Sequence, residues 1–279
     1  MGPKTILVCL TTPEHAETLM KHAVPLARKH GAHLIGLHTI EAVLVYPGIA
    51  MHIPGPAFAA FNESQKEEAA KIRTVFNSHT QHEDFQSEFR LLRAEATSAT
   101  ERMVESARAA DLVIMAHEDK EFDRYDQRHA QVQVIRHSGR PVIVIPLEYN
   151  GPEIGANFVV GWSDTREAAR AAHDALVLAD EGAQVTVLRV GHTPQDPLED
   201  SDGIDLVETM SRHGLKPALE YREPSGDGVA GVLNKVAFEK GADLIVTGAF
   251  GHSRAYDFVI GATTYALLKD ARLPVMYSK

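Results

Sequence analysis

Hydrophobic positions in this chain come in short unbroken runs rather than in alternation. "ILVCL" (6–10) and "FVVGW" (158–162) are each bounded by polar turn residues. Runs of this length and continuity predict strands buried on both faces, as in a parallel sheet. Each run turns through polar residues into an alanine-rich amphipathic segment, a predicted helix. Each helix then closes on Gly-Ala (Gly31-Ala32 and Gly182-Ala183) before a second apolar strand, the expected place for a helix-stopping glycine.

The likeness continues to the other end of each half. "ARAADLVIMA" (107–116) parallels "EKGADLIVTG" (239–248), and "IRHSGRPVIVIP" (135–146) parallels "LKDARLPVMYS" (268–278). Between these anchors the pattern predicts helix, strand and helix at 63–80, 87–92 and 98–110, and again at 199–213, 216–222 and 228–241. Each half therefore reads β-α-β-α-β-α-β-α-β, which implies an α/β fold with a doubly wound parallel sheet and right-handed crossovers. "LEYNGPEIGAN" carries Pro and Gly without periodicity and separates the halves. The expected organisation is a domain at 1–147, a linker at 148–156 and a domain at 157–279. The alternative is one large α/β domain with accidental internal similarity, which the match at both ends of each half disfavours.

Composition fits this picture. The 279 residues suffice for two domains of ordinary size, and 44% hydrophobic with 24% charged residues is normal for a globular chain. A net charge of −10 argues against a broad electrostatic grip on nucleic acid or anionic membrane. A local anion site made of backbone N–H groups remains compatible with it. Cys9 is alone inside its apolar run and reads as a buried structural thiol. No apolar stretch has the length of a signal peptide or a membrane span, so the expected location is cytoplasmic. Histidines cluster in the first half (His15, His22, His30, His33, His38) without metal-ligand spacing, and read as scattered surface residues. "DPLEDSDGIDLVE" (196–208) lacks the ligand pattern of a calcium loop and reads as a solvated helix entry. The apolar, Pro/Gly-rich stretch 43–61 exceeds a normal βα connection. It is expected to be a loop packed over its own domain, or a lid or interaction surface.

Chemistry concentrates in "IVTGAFGHSRAYDFVIGATT" (245–264). Gly248 and Gly251 follow a predicted strand, and Gly261 precedes Ala262, Thr263 and Thr264 at a predicted helix start. Ligands of parallel α/β sheets sit beyond the carboxyl ends of the strands, near the switch in strand order. Glycines allow positive φ and close backbone approach, and a helix start offers N–H donors, a positive dipole end and here two hydroxyls. The stretch reads as a main-chain phosphate cradle, or as glycines that only punctuate a loop. The Walker pattern and an early G-x-G-x-x-G are both absent.

This Gly-x2-Gly-x9-Gly spacing followed by small hydroxyl residues resembles the ATP-binding signature of the universal stress protein family. "TGAFGHSRAYDFVIGATTYALLKDARLPVMYS" is similar to that family's C-terminal segment throughout. With the element order of both halves, the resemblance covers nearly the whole chain as a tandem. It implies five-stranded sheets of order 3-2-1-4-5, and "PVIVIP" pairing with "PVMYS" to make an intramolecular pseudo-dimer, with a further homodimer open. It implies ATP or another adenine nucleotide, with Mg2+ as a companion ion. The residues it assigns are Gly161, Trp162, Ser163, Val190, Thr247, Gly248, Phe250, Gly251, Gly261, Ala262, Thr263 and Thr264. The glycines stand at phosphates and ribose, Val190 packs on the base, and Thr247 and Phe250 flank the loop. Two positions depart from the family: Ala262 replaces the usual Ser or Gly, and Ser163 replaces an Asp that meets the adenine, with Asp164 one place later.

In the first half, Ala116, Asp119 and Arg128 stand where the three glycines would be, and Thr11 stands at the Asp position. "HEDKEFDRYD" (117–126) carries five acidic residues, which would repel a triphosphate. Nucleotide binding is therefore expected in the second half only. The resemblance implies a stress-response module gated by nucleotide and acting on an unidentified protein partner. No triad or paired carboxylates mark a dedicated enzyme; slow ATP hydrolysis occurs in some family members, with His252 and Asp257 near the loop here. The rivals are an interaction module without nucleotide and an enzyme of the related adenine-hydrolase superfamily. The missing S-G-G-x-D-S loop opposes the latter.

Overall fold

The computed structural model describes residues 2–41, 55–94, 97–118, 127–192, 201–251 and 261–279. The first half runs β1 (Thr5–Cys9), α1 (Pro13–His30), β2 (His33–Glu41), α2 (Gly55–Thr80), β3 (Ser87–Ala94), α3 (Ala99–Ala107), β4 (Leu112–Ala116), α4 (Gln127–His137) and β5 (Val142–Ile145). The second runs β6 (Asn157–Gly161), α5 (Arg166–Leu176), β7 (Gln184–Val190), α6 (Ser201–Arg212), β8 (Lys216–Arg222), α7 (Gly228–Lys240), β9 (Leu244–Gly248), α8 (Ala262–Asp270) and β10 (Val275–Ser278).

All ten strands form one sheet in the order β3-β2-β1-β4-β5-β10-β9-β6-β7-β8. Each half thus has the expected order 3-2-1-4-5. The halves join where β5 and β10 pair antiparallel, with Val144 opposite Val275 and Val142 opposite Tyr277. The continuous apolar runs are explained by burial on both sides. Ile6 and Val8 enter one core with α1, α2, α5 and α6, while Leu7 and Cys9 enter the other with α3, α4, α7 and α8. Both cores pass through the seam, since Met276 belongs to the first and Tyr277 to the second. Burial pushes the Cys9 thiol up to about 12, so it stays protonated and unreactive at neutral pH.

The repeated Ala-Asp before β4 and β9 has a structural reason. Asp111 accepts hydrogen bonds from the backbone N–H of Lys4 (2.8 Å) and Thr5 (3.0 Å), where β1 begins. Asp243 does the same for Gly155 (3.2 Å), Ala156 (2.8 Å) and Asn157 (2.8 Å), where β6 begins. Each carboxylate satisfies donors that the sheet leaves open at a strand start. The segment between the halves also packs against α1: Ile154 is buried, and the Tyr149 ring lies 5.0 Å from that of His22.

Two expectations need correction. The stretch 43–61 is not a loop throughout, because α2 begins at Gly55 and residues 55–61 are helical. Pro56 suits a first helical turn and the alanines that follow favour helix. Residues 42–54 lie outside the described set. The first-half histidines are not all on the surface either: His15 and His38 are buried. His15 Nδ1 meets Thr11 Oγ1 at 2.8 Å and His38 Nδ1 meets the Leu10 carbonyl at 2.7 Å, so their rings serve the strand ends. Among the described residues no group of His, Cys, Asp and Glu could hold a metal ion, and no helix is long and apolar enough to cross a membrane.

Candidate functional site

In the second half the strand order reverses at β6. From β6 the chain moves to β7 on one side and later returns to β9 on the other, so Gly161 lies between Leu188 and Thr247. Ligands of such sheets bind beyond these carboxyl ends. Gly248 ends β9 against the first turn of α5. A Cβ there would stand 2.6 Å from both Ala168 N and the Glu167 carbonyl carbon, so only glycine allows this approach. A Cβ at Gly251 would lie 3.1 Å from Glu167 Oε2.

Phe250 holds the loop between these glycines in a left-handed turn (φ 55°), the one non-glycine residue with positive φ among those described. Such a conformation persists only where the surroundings over-determine it. Its N–H donates to Thr264 Oγ1 (3.3 Å), and its buried ring meets Tyr265 edge-on at 5.7 Å. Gly261 caps α8 with φ 87°, and among the described residues no side-chain hydrogen bond caps that helix. A Cβ at Gly261 would come within 2.9 Å of the Phe250 ring. Ala262 is exposed, Thr263 is half-buried and Thr264 is buried with its hydroxyl engaged by Phe250. Thr263 thus offers the accessible hydroxyl of the pair.

The turn after β6 is built of polar pairs. Thr165 caps α5 by accepting from Ala168 N (3.2 Å), and the exposed Ser163 hydroxyl lies 3.3 Å from that of Thr165. Asp164 is held by Arg189 from the end of β7 (3.0 Å). The same guanidinium donates to Asp202 in the first turn of α6 (2.7 Å), which also accepts from Trp162 Nε1 (3.0 Å). Val190, half-buried, ends β7 on the core that contains Phe250. Thr247 is buried, with its hydroxyl on the Gly248 carbonyl (3.1 Å).

The structure therefore groups Gly248, Phe250, Gly251, Gly261 and Thr264 around one turn, with Gly161 and Thr247 paired at its base. Trp162 and Ser163 stand at the neighbouring strand end. Sequence reading missed Glu167, which is buried directly behind the loop. Burial opposes its charge, but the Arg166 guanidinium at 2.7 Å, its own backbone N–H and Lys279 together hold the carboxyl below its usual range. It also missed Arg189 and Asp202, which no motif marks. His252 and Asp257 lie outside the described residues, as does Asp119 of the first half.

A doubly wound sheet repeated twice, with a glycine turn at one switch point, defines a tandem α/β fold. The family model described as the universal stress protein family matches residues 2–146 and again 156–279, and the chain belongs to that family. Its fold is similar to that of a universal stress protein from Archaeoglobus fulgidus: 13% identity, 98% of this chain and 96% of the other covered, TM-score 0.67. It is also similar to a putative universal stress protein from Pseudomonas aeruginosa, with 15% identity, 99% and 93% coverage and TM-score 0.59. No curated protein matches the chain.

Proposed function

We propose that this chain is a cytoplasmic stress-response protein that binds ATP or a related adenine nucleotide once, in the half 157–279. The half 1–147 keeps the fold without a nucleotide. The observation that carries this reading is Gly261: a left-handed glycine that opens α8, without a side-chain cap among the described residues, beside the turn made by Gly248, Phe250 and Gly251. A helix start of this kind presents N–H groups and the positive end of the dipole to an anion. The family's ATP signature falls on the same residues. Mg2+ would travel with the phosphates, and among the described residues Glu167 and Thr165 bring side-chain oxygens close to Gly251. Occupancy would bias conformation or partner choice rather than feed a reaction.

The test is to release and chromatograph any copurifying nucleotide, then titrate MgATP while following Trp162 fluorescence, with Gly251→Lys in parallel. One adenine nucleotide per chain, lost in the folded variant, supports the reading. A protein that is empty and unresponsive refutes it. A second reading, an interaction module without nucleotide, is favoured by one observation. Asp164, Arg189, Asp202 and Trp162 pair with one another where the family places the base, and Ser163 replaces the Asp that would read it.

A further inference from the structure

Phe250 is held from the other half of the chain as well as from its own. Arg136, in the last turn of α4, places its guanidinium carbon 4.0 Å from the centroid of the Phe250 ring. Its Nε is buried without a hydrogen-bond partner among the described residues, so the ring face stands where a polar acceptor would otherwise be expected. The antiparallel pairing of β5 with β10 makes this reach achievable, because it sets α4 of one half beside the turn after β9 of the other. Lys279, just after β10, lies 5.7 Å from the same ring. The residue of the second half at the same distance before its last strand is Lys269, which is exposed.

We propose that Arg136 is a positioning residue for the glycine turn of the opposite half. By stacking on Phe250 it holds the left-handed conformation that sets Gly248 and Gly251 against Gly261. The first half, whose sequence after β4 lacks the three glycines, thus takes part in the candidate site of the other. The positive charge behind the turn also favours an anion in front of it. Only the ligand arm of the test below rests on the nucleotide reading.

Arg136→Met and Arg136→Lys are made in the full chain and compared by hydrogen–deuterium exchange without ligand. In Arg136→Met, amides of 248–251 should exchange about tenfold faster while those of β5 and β10 stay as in the parent, as expected for a local opening. Arg136→Lys should recover most of the protection, because the cation is kept. In a Phe250→Leu background, Arg136→Met should add little. Unchanged exchange at 248–251 overturns the proposal. So does equal loosening of the turn and of both seam strands, which would make Arg136 only a seal on the seam. In the ligand arm, MgATP affinity should fall about tenfold in Arg136→Met and recover in Arg136→Lys, as expected when a cation–π interaction is removed from a partly desolvated site. If the parent protein binds no nucleotide, the proposed function fails, and the exchange result still decides the role of Arg136.

Discussion

The turns that follow β4 and β9 stand on the same frame and are closed by opposite means. Ile6 pairs with Leu112 as Phe158 pairs with Leu244, so Ala116 and Gly248 end equivalent strands. After Ala116 the first half uses side chains. Arg128 forms an ion pair with Glu118, and Gln131 donates from Nε2 to the Ala116 carbonyl at 2.7 Å. At the matching places before the last strand, the second half has Gly261 and Thr264, and Thr264 accepts from the Phe250 N–H. One half fills the switch point with charged and amide groups. The other packs glycine against an aromatic ring, and among the described residues no side chain caps its helix start. The first half thus has an ion pair and an amide–carbonyl hydrogen bond where the second has glycine and threonine, and the proposed function expects that a single restored glycine adds no second nucleotide site.

The sharpest test of this contrast is Gly248→Val against Ala116→Gly. The valine would press on α5 backbone atoms at 2.6 Å and should cost roughly 3 kcal/mol or more in urea unfolding. The reverse change in the first half should cost about 1 kcal/mol. Comparable losses at the two sites would break the comparison. Next comes Gly261→Ala, which combines φ 87° with a contact on Phe250. It should destabilise by about 1–3 kcal/mol and abolish nucleotide binding. Calorimetric titration of Arg128→Gly should reveal no second bound nucleotide, and a stoichiometry of two would show that the glycine alone was missing. Thr264→Val leaves the Phe250 N–H without its acceptor and should cost about 1–2 kcal/mol, with the loss confined to the second half in hydrogen exchange.

The smallest effect concerns pH, and it belongs to the first half. Burial lowers the pKa of His22, and burial followed by the neighbouring Lys29 and Lys4 lowers that of His30. The folded state thus binds fewer protons than the unfolded chain below the ordinary histidine range. Their contribution to stability is complete above about pH 6.5 and is lost as pH falls through that value toward the folded pKa values. Urea midpoints measured from about pH 7.5 down to about 5.5 should decline, and His22→Gln should flatten the decline. A midpoint that rises on acidification would reverse the sign of this argument.

Much of this architecture is written locally. The predicted strand at 216–222 coincides with β8, and that at 87–92 with most of β3, because buried strands and turn residues announce themselves over a few positions. The start of α2 was missed because proline, glycine and apolar residues suggest a loop, whereas Pro56 and the alanines after it are compatible with a first helical turn. The burial of His15 and His38 was missed for another reason. Whether a histidine is exposed depends on which carbonyl or hydroxyl its ring can reach across the fold. Arg189, Asp202 and Glu167 were illegible in the same way, since nothing in their spacing tells which strand ends will be neighbours.

Hydrophobic runs, helix stops and the glycine turn are properties of a few consecutive residues, and from them follow the two repeated halves and the expected place of the candidate site, while the strand order within each was implied only by the family resemblance. The partners that hold that site in shape come from distant parts of the chain. Arg189 reaches Asp164 because β7 lies beside β6, and Arg136 reaches Phe250 because β5 pairs with β10. A guanidinium finds its aromatic ring or carboxylate through distances that only the assembled sheet sets, and so the tertiary structure alone decided which residues of the first half stand behind the glycine turn of the other.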